Sequence, residues 1–313
     1  MITLGTFYGT LYAPDWPDDL ICRSLRQFGE WSGAEAEILA PLVRPEDYLW
    51  DVGAFLGTFS LGLTRYQAPA RLLAIEANPA LQPFLARNLN ENAPCPATVL
   101  GVGVAETAGR LVPHDAGDPQ NHGATEWRVA ASDVGEAEGT ACVTLRELRA
   151  SHGDYSFLKL DIEGMELAAL RGDLDHIKRH HPVIWAECNE TPASLKLLGA
   201  MRWLGYDPLY VAFPAFRRAN FKGSKDSIFP MAYEAGLLAA PPDRLADFTG
   251  QVAGEEVLVR KVNTAHDLRR ALWDTPRWAQ ADWVTLSRPE LIARLGRISK
   301  GQGLKEFLAG EQG

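Results

Sequence analysis

Short apolar runs alternate along the chain with stretches whose apolar positions recur at helical spacing. Tyr48-Leu-Trp-Asp51 leads into a glycine turn and then an apolar stretch from Thr58 to Arg65. Arg71-Leu-Leu-Ala-Ile-Glu76 leads to Asn78-Pro79 and a run that places Leu81, Phe84, Leu85 and Leu89 on one face. Phe157-Leu-Lys-Leu-Asp161 leads to Gly164 and a helix around Leu167 to Leu170. Pro182-Val-Ile-Trp-Ala-Glu187 leads to Thr191-Pro192 and a helix through Leu195, Leu198 and Met201. Both Asn78-Pro79 and Thr191-Pro192 read as an N-cap followed by proline at the first helical position. A further strand over Ala97 to Val104 lies between the second and third of these units. The alternation predicts an α/β fold, a three-layer sandwich around a mostly parallel sheet.

Two regions break the rhythm. Residues 106–143 hold short strand-like pieces, Arg110 to Pro113 and Trp127 to Ala131, among turn formers, and predict an inserted hairpin with loops. Residues 212–255 are rich in Pro, Phe and Gly and read as a second insertion, after which Glu256-Val-Leu-Val-Arg260 predicts one more strand. The tail from Asn263 reads as helical, with a capping box at Ser287-Arg-Pro-Glu290 and Leu291, Leu295 and Ile298 on one face. Trp273, Trp278 and Trp283 recur every five residues, fit no helical stripe, and are expected to pack this tail onto the body. A length of 313 residues suggests about two domains. The strand at 256–260 is needed to finish the sheet begun at 48–51, so the expected organisation is instead one domain over residues 1–262 with a helical tail over 263–313. Residues 1–45 then form an N-terminal cover, and the two insertions overhang the cleft.

Composition narrows the setting. Hydrophobic residues at 46% and charged residues at 23% are ordinary for a globular chain. Thirty-one basic against 40 acidic residues leave a net charge of −9, which counts against nucleic-acid and anionic-membrane partners. Cys22, Cys95, Cys142 and Cys188 are far apart and form no CxxC, which reads as free thiols in a reducing compartment. The first 20 residues lack a basic n-region and contain Pro14 and Pro17, unlike a signal peptide. Leu195 to Phe216, the most apolar long stretch, is interrupted by Arg202, Asp207, Pro208 and Pro214. The expectation is a soluble, cytoplasmic protein.

The chemistry gathers at strand ends. Asp51-Val-Gly-Ala-Phe-Leu-Gly57 lies at the end of the first of these strands, where ligands of open α/β sheets bind. Gly53 and Gly57 allow close backbone approach. A GxGxxG turn would open a helix toward a pyrophosphate. DxGxxxG instead sets a carboxylate there, which suits a cofactor with an ammonium and a sulfonium, S-adenosylmethionine; a tight turn with a solvated aspartate is the plainer alternative. Glu76, ending the next strand, can accept both ribose hydroxyls, as an acid at that place does in dinucleotide folds, so it does not separate the two cofactors. Lys159-Leu-Asp-Ile-Glu-Gly-Met-Glu166 sets three carboxylates within six residues. Such anions repel one another unless a cation, a hydrogen-bond network or a helix N-terminus compensates. Capping accounts for Glu166 and function for Asp161; Glu163 fits either.

Taken together, these runs resemble the FkbM family of S-adenosylmethionine-dependent O-methyltransferases. The family's DVGANxG-like, EPNP-like and KxDxEGxE motifs stand here as DVGAFLG (51–57), EANP (76–79) and KLDIEGMEL (159–167), in order. Phe28-Gly-Glu-Trp31 is similar to the family's YGEW segment. Leu170-Arg-Gly172 and Pro182 to Glu187 match the family's pattern beyond the third motif, so the resemblance covers roughly residues 20 to 212. It implies a Rossmann-like class I methyltransferase fold and a cofactor set of Glu30, Asp51, Gly53, Phe55, Gly57, Glu76, Ala77, Gly103, Val104 and Asp161. Gly103 and Val104 would lie against the adenine, and Asp161 would hold the cofactor's amino group or line the acceptor site. The implied reaction is attack of an acceptor hydroxyl, on a small molecule or glycan, upon the cofactor methyl. For the base, Glu163 and Glu187 rank first and His122 next, with a buried, arginine-paired role as the alternative for Glu187. No metal is required, although the carboxylates would permit Mg²⁺.

Two positions depart from the family pattern: Phe55 stands for the usual Asn and Ala77 for the usual Pro. Rival readings are an NAD(P)-dependent oxidoreductase, which would want the GxGxxG turn, and a non-catalytic cofactor-binding relative, which Phe55 encourages. His176 to His181 reads as a polar helix end rather than a metal site. Arg217, Arg218, Lys222 and Lys225 around Phe216 and Phe221 read as a solvated loop, or as contacts to an acidic or sugar acceptor.

Overall fold

An antiparallel hairpin opens the chain: β1 (Ile2–Thr6) pairs with β2 (Gly9–Ala13). Helix α1 (Leu20–Gln27) starts at Asp19, whose side chain accepts from the Cys22 N–H, and α2 (Gly33–Leu39) comes next. The computed structural model describes residues 1–113, 127–130, 139–225, 232–251, 257–275, 286–290 and 292–293. His122, Trp278, Trp283, Leu291, Leu295 and Ile298 lie outside the described residues.

The apolar runs become the sheet. β3 (Tyr48–Val52), α3 (Thr58–Thr64), β4 (Arg71–Ile75), α4 (Gln82–Asn92) and β5 (Ala97–Leu100) form the first half. A small second sheet is built from β6 (Gly103–Val104), β7 (Gly109–Pro113), β8 (Trp127–Val129) and β9 (Thr140–Val143). Then come α5 (Leu145–His152), β10 (Phe157–Leu160), α6 (Glu166–Arg171), α7 (Leu174–His180), β11 (Val183–Glu187), α8 (Pro192–Trp203) and β12 (Leu209–Pro214). β13 (Tyr233–Ala239), α9 (Pro242–Gln251), β14 (Leu258–Lys261) and α10 (Ala265–Asp274) complete the described elements.

The main sheet runs β14-β12-β13-β11-β10-β3-β4-β5. β5, β4, β3, β10 and β11 pair in parallel, while β13 is inserted antiparallel between β11 and β12, and β14 pairs antiparallel at the edge. Side chains alternate between its two faces. Trp50, Leu73, Leu158, Ile184, Tyr210 and Leu237 enter one core. Leu49, Leu72, Phe157, Trp185, Val211 and Leu238 enter the other. Each such buried side chain contributes about 1.5–3 kcal/mol. Two cores require helices on both faces, so the expected Rossmann-like α/β sandwich with a mostly parallel sheet is the observed one.

Four expectations are corrected. The strand expected over Ala97 to Val104 breaks after Leu100: β5 stays in the main sheet, whereas β6 leaves it to pair in parallel with β9. Residues 212–255 are not simply an insertion, because β13 is an integral strand of the sheet. Asn78 does not cap a helix. Its Oδ1 accepts from the Ala80 N–H in a local turn, and α4 starts at Gln82. Trp273 is 70% exposed and packs nothing onto the body. Elsewhere β7 and β8 form the expected hairpin, Pro192 opens α8, and the Ser287–Glu290 capping contact is present. No described helix is long and apolar enough to cross a membrane.

Candidate functional site

Strand order reverses between β3 and β10: the chain steps from β3 through β4 to β5 on one side, and from β10 to β11 on the other. Helices on opposite faces diverge at such a switch point and leave a crevice at the carboxyl ends of the strands. A cavity of about 660 Å³ occupies it. Over β4 and β5 its lining is Glu76, Val102, Val104, Leu111, Ile162 and Met165. Over β10, β11 and β13 it is Glu35, Asp161, Glu163, Trp185, Glu187 and Glu234.

The turn after β3 must pass close under the third motif. Gly53 has φ +79°, and a Cβ there would run into the Asp161 carbonyl, so glycine is required for both conformation and space. Phe55 also takes a left-handed conformation, φ +50°. Its N–H donates to Glu76 Oε2 (2.8 Å), while Glu76 Oε1 accepts from the Asn78 N–H (2.7 Å). Burial raises the proton affinity of the Glu76 carboxyl, and these two N–H groups counter it.

At the cavity floor lies an ion cluster centred on buried Lys159. Lys159 Nζ donates to the Gly53 carbonyl at 2.8 Å and stands 3.2 Å from Asp51 Oδ1 and 3.3 Å from Asp161 Oδ2. Burial alone would discharge this ammonium, but Asp161, Asp51 and Glu35 outweigh it and push its pKa above the usual lysine range. Asp51 Oδ2 accepts from Ser60 Oγ at 2.7 Å.

Above the sheet, α2 carries Glu35 over the strand ends. Its Oε1 accepts from Trp185 Nε1 at 2.7 Å. Burial pushes its pKa up to about 8, against the pull of Lys159 and the Trp185 hydrogen bond, with Asp161 and Glu234 adding to the rise. Asp161, Glu163 and Glu187 offer carboxylate oxygens within 4.8 Å of one another, close enough to share a divalent cation. Glu163 has φ +50°, and Glu166 Oε1 accepts from the N–H groups of Ile162 and Gly164, so Glu166 shapes the turn as expected.

Most expected site residues converge. Gly53, Phe55, Glu76, Ala77, Gly103, Val104, Asp161, Glu163 and Glu187 line the cavity. Three do not. Asp51 is fully buried and its carboxylate is turned to Lys159 and Ser60. Gly57 precedes α3 with φ +83°, where a Cβ would press on Leu85 and Leu89. Glu30 is buried against Arg217, which reaches Oε1 at 2.7 Å and Oε2 at 2.9 Å. Arg217 also binds Glu37, and Lys222 Nζ donates to the Arg26 carbonyl, so this loop fastens the N-terminal cover while Arg218, Phe221 and Lys225 are exposed. α7 ends with exposed Lys178, Arg179 and His180 before β11, the polar helix end expected there, and within that run His176 is buried. Glu35 and Glu234 carry no motif, Trp185 stands within the Pro182 to Glu187 match but is not singled out by it, and the Lys159 role emerges only once β3 and β10 are paired.

Residues 51–208, just over half the chain, match the family model for the methyltransferase FkbM domain. Among solved structures the chain is similar to methyltransferase FkbM from Methylobacillus flagellatus KT, at 21% identity and TM-score 0.41, over 63% of this chain and 45% of that one. It is similar to precorrin-6y C5,15-methyltransferase from Geobacter metallireducens GS-15, at 15% identity and TM-score 0.41, over 66% and 86%. It is also similar to precorrin 8w decarboxylase from Methanobacterium thermoautotrophicum, at 17% identity and TM-score 0.42, over 67% and 90%. No curated protein matches the sequence. With its three motifs assembled around one cavity and the family match spanning residues 51–208, the chain belongs to the FkbM methyltransferase family.

Proposed function

We propose that this chain transfers the methyl group of S-adenosylmethionine to a hydroxyl of a small molecule or glycan. The observation that carries the reading is the division of the switch-point cavity into two unlike halves. Over β4 and β5, Glu76 stands beside an apolar slot of Val102, Val104, Leu111 and Met165. Each Glu76 oxygen accepts one backbone N–H, and a carboxylate oxygen has a second acceptor direction, so two ribose hydroxyls can be held while the slot takes the adenine. Asp161 sets negative charge between the halves, which suits an ammonium or sulfonium and opposes a pyrophosphate.

When bound, S-adenosylmethionine supplies an electrophilic methyl carbon on a positively charged sulfur. This chain's residues would do the rest by position. Gly53, Phe55 and Ala77 would bring backbone close to the cofactor, and Gly103 and Val104 would meet its base. Glu163 and Glu187 line the half left for the acceptor, where carboxylates would orient its hydroxyl. Trp31 and Glu35 of α2 also line the cavity, where they would help to exclude water.

Two measurements test the reading. S-adenosylhomocysteine is expected to raise the melting temperature at saturation. Labelled S-adenosylmethionine incubated with a panel of methyl glycosides and phenols is expected to yield a methyl ether detected by mass spectrometry. No thermal shift would overturn the cofactor assignment, and binding with no methylated product would overturn the hydroxyl acceptor.

A further inference from the structure

Glu35 lies outside all three motifs, yet it has the setting of a proton acceptor. It lines the acceptor half of the cavity together with Phe59 of α3, Trp185 of β11 and Phe213 of β12. Its two oxygens are not equivalent: Oε1 is fixed by Trp185 Nε1 at 2.7 Å, and Oε2 takes no hydrogen bond among the described residues. One oxygen therefore orients the carboxylate while the other is left to the cavity. The titratable and charged groups facing it are Lys159 of β10, Asp161 in the turn beyond that strand, Glu234 of β13 and Tyr8 between β1 and β2, whereas α3 presents Thr58 and Phe59 and β12 presents Phe213. Glu163 and Glu187 differ. Their carboxylate oxygens crowd together with that of Asp161 within 4.8 Å, an arrangement suited to holding a cation or orienting a hydroxyl rather than presenting one isolated acceptor oxygen.

Resting on the methyl-transfer reading, we infer that Glu35 is the group that takes the proton from the acceptor hydroxyl. In that step the acceptor oxygen forms a bond to the methyl carbon as the carbon–sulfur bond breaks. The electron pair of the broken bond stays on sulfur, giving the neutral thioether S-adenosylhomocysteine. The hydroxyl proton passes to Glu35 Oε2 and afterwards to solvent. Atoms and charge balance with no further reactant. Burial suits the group to the task by lifting its pKa to about 8, near the range in which a general base of this kind works best.

The test has a titration arm and a kinetic arm. Protein carrying carboxyl-¹³C glutamate is followed by NMR from about pH 5 to about pH 10, and the Glu35 resonance is assigned by its loss in Glu35→Gln. A midpoint near 8 is expected; a midpoint in the ordinary carboxylate range overturns the inference. In the kinetic arm, a methyl glycoside or phenol that the wild type methylates serves as substrate. Glu35→Gln is expected to lower kcat about 10²–10⁴-fold and to abolish the ionisation that limits the wild-type rate on its acidic side. Affinity for S-adenosylhomocysteine is expected to stay the same, and Glu35→Asp to restore part of the rate. Glu163→Gln and Glu187→Gln are expected to keep that ionisation. Unchanged kcat and pH profile in Glu35→Gln would overturn the inference while leaving methyl transfer intact. If S-adenosylhomocysteine binds but no panel member is methylated, the acceptor reading fails and the inference falls with it.

Discussion

Lys159 and Asp51 are direct register partners on the adjacent parallel strands β10 and β3, and Lys159 Nζ lies 3.2 Å from Asp51 Oδ1 with both side chains buried. The first and third motifs are thus joined by an ion pair at the cavity floor. Removing one partner of a buried pair strands the other charge, at a cost of about 3–5 kcal/mol. Lys159→Met is therefore expected to lower the urea midpoint by that equivalent with an unchanged m-value. The double variant Lys159→Met with Asp51→Asn is expected to recover part of the loss, since the stranded carboxylate is gone. Additive losses in this cycle would show that the two side chains are not energetically coupled.

Glu76 provides a separate test of the cofactor half. Hydrogen bonds to an ionised group are worth about 1.5–3 kcal/mol, which corresponds to roughly 10–100-fold in affinity. Glu76→Ala is expected to weaken S-adenosylhomocysteine by that factor in isothermal titration, and Glu76→Gln by less, because one acceptor oxygen remains. Equal affinity in all three proteins would place the ribose elsewhere.

The parts of this molecule that are legible in the sequence are those where one local force decides. β3, β4, β10 and β11 are buried on both faces and therefore read as unbroken apolar runs. β13 is hidden because Tyr233 to Ala239 contains Gly236, which looks like a turn former; in the sheet it lies under the Trp185 ring, where any Cβ would collide with the indole. In the sequence Phe55 signals only a lost amide contact. Its left-handed φ supplies a second meaning, since the asparagine usual in the family pattern tolerates that conformation better than phenylalanine does. Glu35 is illegible for a topological reason: its partner Trp185 is 150 positions away, and no local pattern records such a pairing.

His176 is expected to contribute to the loss of stability on the acid side. It is 4% exposed and Nε2 has no hydrogen-bond partner; burial, reinforced by Arg149, holds its pKa below the ordinary histidine value. The unfolded chain therefore binds the proton more readily, and stability falls as pH drops through the ordinary histidine range toward the folded value. Urea midpoints measured from about pH 7.5 down to about pH 5 are expected to decline more steeply in the wild type than in His176→Leu. Parallel declines in the two proteins would mean that His176 takes no part.

Glu30 separates a structural role from a cofactor role. Its carboxylate pairs with Arg217 through both oxygens and accepts from the Phe221 N–H at 3.1 Å, so it ties the loop after β12 to the N-terminal cover. The Glu30 side chain is 5% exposed and that of Arg217 17%, so solvent screens the pair little. Glu30→Ala leaves the guanidinium with Glu37 as its carboxylate partner and one N–H unpaired, and is expected to cost about 1.5–3 kcal/mol in urea unfolding. Because Glu30 stands outside the cavity lining, affinity for S-adenosylhomocysteine measured on the folded protein is expected to stay within about twofold of wild type, a difference well under 1.4 kcal/mol. Hydrogen exchange is expected to quicken at Phe221 and Lys222, whose N–H groups donate to Glu30 and to the Phe28 carbonyl, while the amides of β3 and β10 keep their protection. A tenfold or greater loss of affinity without loss of stability would reverse the assignment and put Glu30 back among the cofactor contacts.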